Sequence, residues 1–141
     1  MTSFLESSGL KGLADRVASF EVRGGASIRH SLFAALVFCL IAQVVLGVLL
    51  STYYSPSATD AWASTAYLND QVSAGWMLRG LHYHLTSVML VVAALHVGSI
   101  ALMGGYRRPR EFFWFASLLI LVMIMAAGVS GNILPWDEEG Y

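Results

Sequence analysis

Three apolar runs alternate with polar segments along this chain, and their lengths decide most of its architecture. The first, at about 32–53, reads "LFAALVFCLIAQVVLGVLLSTY", with Gln43 as its only strongly polar residue. The second, at about 77–103, is apolar but carries three histidines, His82, His84 and His96. The third, at about 112–134, reads "FFWFASLLILVMIMAAGVSGNIL" and contains no charge. A helix needs roughly 20 apolar residues to cross about 30 Å of hydrocarbon, and each run is that long. The pattern predicts an all-α membrane protein with three transmembrane helices.

The segments between the runs are patterned differently. In "GLKGLADRVASF", residues 9–20, Leu10, Leu13, Ala14, Val17 and Phe20 recur at helical steps, while Lys11, Asp15 and Arg16 fall elsewhere on the wheel. This predicts an amphipathic helix within residues 1–30, lying along the membrane surface; the bland alternative is a disordered tail. "VRGGAS" breaks it before the membrane domain, residues 31–141. The first connection, "YYSPSATDAWASTAYLNDQVSAGW", is too long for a tight turn. Its Trp62, Tyr67 and Trp76 suit the headgroup level, where amphipathic rings are favoured. Pro109 marks the exit from the second connection into the third span.

Composition and charge sharpen this picture. Only 12% of the 141 residues are charged, against about 25% in a soluble domain, and 57% are hydrophobic. A net charge of −1 gives no basis for binding nucleic acid, and the single cysteine, Cys39, excludes an internal disulfide or a zinc cluster. Residues 1–30 hold no apolar stretch of the signal-peptide kind. Lys11, Arg16, Arg23 and Arg29 precede the first span, and Arg107, Arg108 and Arg110 lie between the second and third. The first connection has Asp60 and Asp70 but no base, and the end "PWDEEGY" is acidic. With three spans, the basic segments share one side, so the N-terminus is expected on the cytoplasmic, negative side and the C-terminus outside. A bacterial inner membrane suits that topology.

The histidines are the candidate chemistry, because an ionisable residue inside a bilayer must be compensated. The interval from His82 to His96 falls within roughly 40° of whole helical turns, so the two share a face about 21 Å apart along the axis. His84 points nearly the opposite way. At that separation two imidazoles cannot share one metal ion, but each could ligate its own planar cofactor, one toward each leaflet. Haem suits this arrangement, since its iron takes axial nitrogen ligands and its macrocycle can replace lipid. Imidazoles that merely hydrogen-bond neighbouring helices are the bland alternative, and for His84 the favoured one.

Small residues and one arginine bear on the same question. A macrocycle approaching a helix needs a notch, and glycine leaves the backbone bare. Gly47 lies in the first span and Gly128 and Gly131 in the third, and Ser117 precedes Gly131 by the same interval that separates the two histidines. Ordinary small-residue packing between membrane helices is the competing explanation. Arg79, one turn before His82 and with no acidic neighbour in sequence, could meet a propionate or a lipid phosphate.

Taken together, "YYSPSATDAWAS", "GWMLRGLHYH", "ALHVG", "GGYRRPREFFW" and "GVSGNILPWDEEGY" resemble the N-terminal part of cytochrome b from quinol:cytochrome c reductases. Over roughly residues 30–141 the likeness is greatest to the short, chloroplast-type branch. The resemblance implies a four-helix bundle holding two non-covalent b-type haems, here with three of the four helices present. It implies His82 as ligand of the outer-side haem iron and His96 of the inner-side one. It implies Arg79 at an outer propionate, and Gly47 and Gly131 where the rings approach. It also implies transmembrane electron transfer from quinol, coupled to proton translocation, in a dimeric complex with a Rieske-type iron–sulfur protein and a c-type cytochrome. The chain would be a redox subunit, not catalytic alone.

Departures from the family pattern qualify these expectations. The sequence stops at Tyr141, before the helix that carries both opposite ligands, so these are expected from a missing fourth helix or another chain. His30 cannot replace both. Phe33 stands where the family often has glycine, one histidine interval before Gly47, with Ala34 adjacent. Ser31 and Leu32 occupy the position of a cysteine that holds an extra covalent haem in the chloroplast branch, so no such haem is expected. The quinol-oxidation element Pro-Glu-Trp-Tyr is absent from this sequence. A haem-binding anchor of a dehydrogenase or hydrogenase, and a non-redox membrane scaffold, are the competing functional readings.

Overall fold

The computed structural model describes residues 27–135. Four helices follow in order: α1 (Ile28–Ser51), α2 (Ala61–Asp70), α3 (Gly75–Leu102) and α4 (Glu111–Ile133). Of these α1, α3 and α4 are long and apolar enough to cross a membrane, at 24, 28 and 23 residues. Each begins slightly before its apolar run. Arg29 and His30 lie in the first turn of α1 and Glu111 opens α4, because polar side chains at a helix end reach water while their backbone is already helical. The amphipathic segment expected at 9–20 and the acidic end from Trp136 lie outside the described residues.

The helix ends show why the chain turns where it does. After α3, Gly104 takes φ 70°, with Gly104 N–H donating to the Ala101 carbonyl at 2.9 Å and Gly105 N–H to the Ile100 carbonyl at 2.8 Å. This is the paired 5→2 and 6→1 pattern of a Schellman stop, and it satisfies two carbonyls that the helix end would leave bare. At the other end of α3, Gly75 packs on the Leu68 carbonyl of α2 so closely that a Cβ would overlap it. The corner between α2 and α3 therefore admits only glycine at that position.

The first connection holds a helix that its sequence pattern hid. Ser57 starts it: its hydroxyl donates to Asp60 Oδ2 at 2.8 Å, and its carbonyl accepts from Ala61 N–H at 2.8 Å. Ala61 and Leu68, two turns apart, are the residues of α2 that become buried. The long connection is thus a short helix laid against α3 rather than an irregular loop.

Helix α3 is central, packing on α1, α2 and α4, while among the described residues α1 and α4 make no helix–helix interface with each other. The core is small: Leu36 and Cys39 of α1, Met89 and Ala93 of α3, and Ile124 of α4. Ala93 is only 1% exposed. Lipid is as apolar as leucine, so close contact between membrane helices depends on van der Waals fit at small residues such as Cys39 and Ala93. The buried residue of α4 is Ile124, and Phe112, Phe113, Phe115, Leu119 and Met123 are left outward. Such a surface suits lipid or other protein and would aggregate in water.

Candidate functional site

Helices α1 and α3 run antiparallel in a fixed register. Gly47 lies beside His82, where an added Cβ would stand 3.4 Å from the imidazole Cε1. One turn earlier in α1, the Gln43 Nε2 donates to Thr86 Oγ1, one turn later in α3. Near the other end, the Phe33 and His96 rings lie 5.8 Å apart between centroids, tilted at 40°. The step back along α1 from Gly47 to Phe33 thus equals the step forward along α3 from His82 to His96. The spacing between the histidines is repeated in the helix they face.

Both histidines are turned into the molecule. His96 is 8% exposed and is the buried polar residue of the core, while His82 is half-buried. Nδ1 of each is buried without a hydrogen-bond partner among the described residues. Buried polar atoms are nearly always paired, which makes these two imidazoles the candidates to examine. His84 is exposed and meets Tyr83 edge to face at 5.3 Å, and His30 bonds the Ser27 hydroxyl at 2.8 Å; neither joins the pair. Among the described residues, no three His, Cys, Asp or Glu side chains gather as a metal cage.

The remaining candidates divide. Gly128 of α4 lies against Thr86, with a Cβ there meeting its Cγ2 at 3.4 Å. Thr86 is thereby the point where three helices meet, one turn from His82. It also donates to the His82 carbonyl at 3.0 Å. Around Gly131 nothing among the described residues lies within 4 Å of an added Cβ, so it contributes an open stretch of α4. The Ser117 hydroxyl turns back to the Phe113 carbonyl at 2.8 Å and is not brought to either histidine. Arg79 is half-buried one turn before His82 and makes no ion pair among the described residues.

Two contributors were not legible in the sequence. Gln43 leaves its Oε1 buried and, among the described residues, unpartnered while its amide nitrogen holds Thr86. Arg29, weighed in the sequence only as a charge for orientation, has a buried Nε without a partner among the described residues. It lies one turn before Phe33 on α1, so the spacing from Phe33 is the signal that leads to it.

Residues 17–141 match the family described as cytochrome b/b6/petB. The chain belongs to the cytochrome b family. Cytochrome b6 of Mastigocladus laminosus is 36% identical over 138 residues, covering 98% of this chain and 64% of that protein. Cytochrome b6 of Rippkaea orientalis (strain PCC 8801 / RF-1) is 34% identical over 132 residues, covering 94% and 60%. This cytochrome b family member thus spans less than two thirds of the length of these relatives. A chain of a hyperthermophilic respiratory Complex III shares the fold, with a TM-score of 0.77 at 22% identity over 94% of this chain and 35% of that one. With three helices long and apolar enough to span a bilayer, it is an integral membrane protein.

Proposed function

We propose that this chain carries electrons across a bilayer within a quinol-oxidising cytochrome b complex, holding one b-type haem at His82 near the outer face and one at His96 near the inner face. The observation that carries the reading is the pair of imidazoles on one face of α3, each with a buried Nδ1 unpartnered among the described residues, facing α1 in matching register. Family membership supports it over the dehydrogenase-anchor and scaffold readings.

The residues suit the group. An imidazole nitrogen can ligate haem iron, and bare backbone beside it lets a non-covalent macrocycle approach; Gly47 offers that at His82, whereas at His96 the position in register holds the Phe33 ring. Bound there, haem would supply a one-electron carrier at each membrane level. The chain's own part is to hold and tune. His82 and His96 fix two stations about 21 Å apart along the helix, at about 1.5 Å per residue. Thr86 and Gln43 lock α1 to α3 between them, nearer His82. Arg79 at the outer end and Arg29 at the inner end offer guanidinium groups to carboxylates such as propionates. A further ligand to each iron would come from a helix or chain other than the described ones. The expected partners are that segment, a Rieske-type iron–sulfur protein, a c-type cytochrome and a quinone, in a dimeric complex of a bacterial inner membrane. Charge separation along the path is what couples the transfer to proton translocation.

Optical spectra of the reduced, purified complex test this. His82→Ala should remove the outer haem and His96→Ala the inner one, each halving the b-type alpha band, while His84→Ala leaves both. A wild-type complex with no such band would refute the assignment.

A further inference from the structure

At the outer station two buried polar atoms lack partners, and their chemistries are complementary. Nδ1 of His82 is unpartnered among the described residues, and so is Oε1 of Gln43. Gln43 stands one turn before Gly47, the α1 residue beside the His82 imidazole. Both atoms therefore belong to one short stretch of the seam between α1 and α3. The surrounding hydrogen bonds fix which way the Gln43 amide faces. The Thr86 hydroxyl has a single proton and donates it to the His82 carbonyl at 3.0 Å. Its oxygen is left to accept, and it accepts from Gln43 Nε2. Turning the amide over would set the Gln43 oxygen against a hydroxyl with no free proton. The Thr86 methyl lies against Gly128 of α4, so the side chain that orients the amide is placed from a third helix. Tying α1 to α3 uses the amide nitrogen alone. The oxygen remains a free acceptor, and leaving a buried acceptor unsatisfied is costly.

A neutral imidazole carries one ring proton. An acceptor facing Nδ1 keeps the proton there and leaves the Nε2 lone pair free for a metal. Metal-ligating histidines are usually held by such a second-layer bond, which orients the ring and raises its basicity. We propose that Gln43 is a positioning residue of the outer site, its Oε1 taking the hydrogen bond from the His82 Nδ1–H and so setting the tautomer and the ring plane. The two atoms are not bonded directly in the structure, so one water or a small rotation of the amide closes the link. The inference rests on the reading of His82 as a haem ligand, where Gly47 leaves bare backbone beside the ring. At the inner end of α1 the buried atom unpartnered among the described residues is Arg29 Nε, which can only donate. The acceptor is thus a feature of the outer station.

A more basic ligand favours ferric iron, so losing the acceptor should make the outer haem easier to reduce. The test is an optical redox titration of the intact complex, comparing wild type with Gln43→Leu, Gln43→Met and Gln43→Glu. The outer component is the one that disappears in His82→Ala. In the Leu and Met variants its equilibrium should shift about tenfold toward the reduced form, about 59 mV for one electron. Glu keeps an acceptor oxygen at the same reach, and its outer potential should return to the wild-type value or fall below it. The component that survives His82→Ala should stay fixed in all three. Met keeps the length of the side chain and removes only its polar atoms, so a failure to fold does not obscure the result. Loss of the outer haem alone in Leu and Met, with retention in Glu, would be the extreme of the same effect. An outer potential unmoved in Leu and Met, both components moving together, or no recovery in Glu would overturn the proposal and leave Gln43 as a tie between helices. A wild type lacking haem would instead overturn the function proposed above.

Discussion

Thr86 offers the sharpest test of how this helix bundle is held, because its hydroxyl has one partner on its own helix and one on another. Thr86→Val keeps the shape of the side chain and deletes only the hydroxyl. The His82 carbonyl loses little, since the backbone N–H one turn on still bonds it. Gln43 loses its partner outright, and its Oε1 already has none among the described residues, so the whole amide becomes unpaired in a part-buried, apolar place. Side-chain hydrogen bonds between membrane helices contribute about 0.6 kcal/mol on average and at most about 1.7 kcal/mol. Stranding a buried polar group costs about 1–3 kcal/mol. Gln43 is only part-buried, so Thr86→Val should destabilise by about 1–2 kcal/mol. Gln43→Leu removes the stranded amide together with the bond and should fall within about 0.5 kcal/mol of wild type, with the double variant close to it. Denaturant-driven unfolding in mixed micelles, followed by helical circular dichroism, measures all three. If Gln43→Leu costs more than Thr86→Val, the bond rather than the orphaned amide dominates, and the reasoning fails.

Other substitutions probe separate points. Gly75→Ala should open the corner between α2 and α3, at a cost of about 1–3 kcal/mol or more, because the new methyl meets the Leu68 carbonyl rather than a movable side chain; faster amide exchange in α2 would report it, and unchanged exchange would refute it. Gly47→Val should leave the helices folded yet lower outer-haem content about tenfold or more, as read from the optical spectrum, since methyls beyond the 3.4 Å Cβ position press on His82. Full occupancy in that variant would show that the notch is not needed. Arg79→Leu should lower the outer haem's midpoint potential by tens of millivolts, on a scale where about 59 mV is tenfold for one electron, because a nearby positive charge favours the reduced form; a redox titration that does not move would remove Arg79 from the site.

Much of this was legible from spacing alone. Apolar run length marked out the three spans, and the interval between His82 and His96 placed them on one face, because both follow from geometry internal to one helix. What escaped depends on pairing between helices. The contact of Phe33 with His96, and of Gln43 with Thr86, exists only once α1 and α3 take their register. Helix α2 escaped for another reason: in "AWASTAYLND" small and polar residues dominate, and only Ala61 and Leu68 are buried, which leaves no stripe to detect. Ser117 went the other way. Its spacing from Gly131 echoes that of the histidines, yet its hydroxyl serves its own backbone, a local choice that periodicity does not record.

The matched intervals on α1 and α3 also constrain how such a protein can change. Deleting a single residue between His82 and His96 would swing one imidazole about 100° from the other, and would slide every contact beyond the gap by one rung. A compensating deletion in α1 could realign the ladder but not the azimuth. Substitution is therefore the open evolutionary route here and length variation the closed one: new chemistry at either station has to arrive by exchanging side chains, as Phe33 illustrates, on two rods whose graduations cannot be recut.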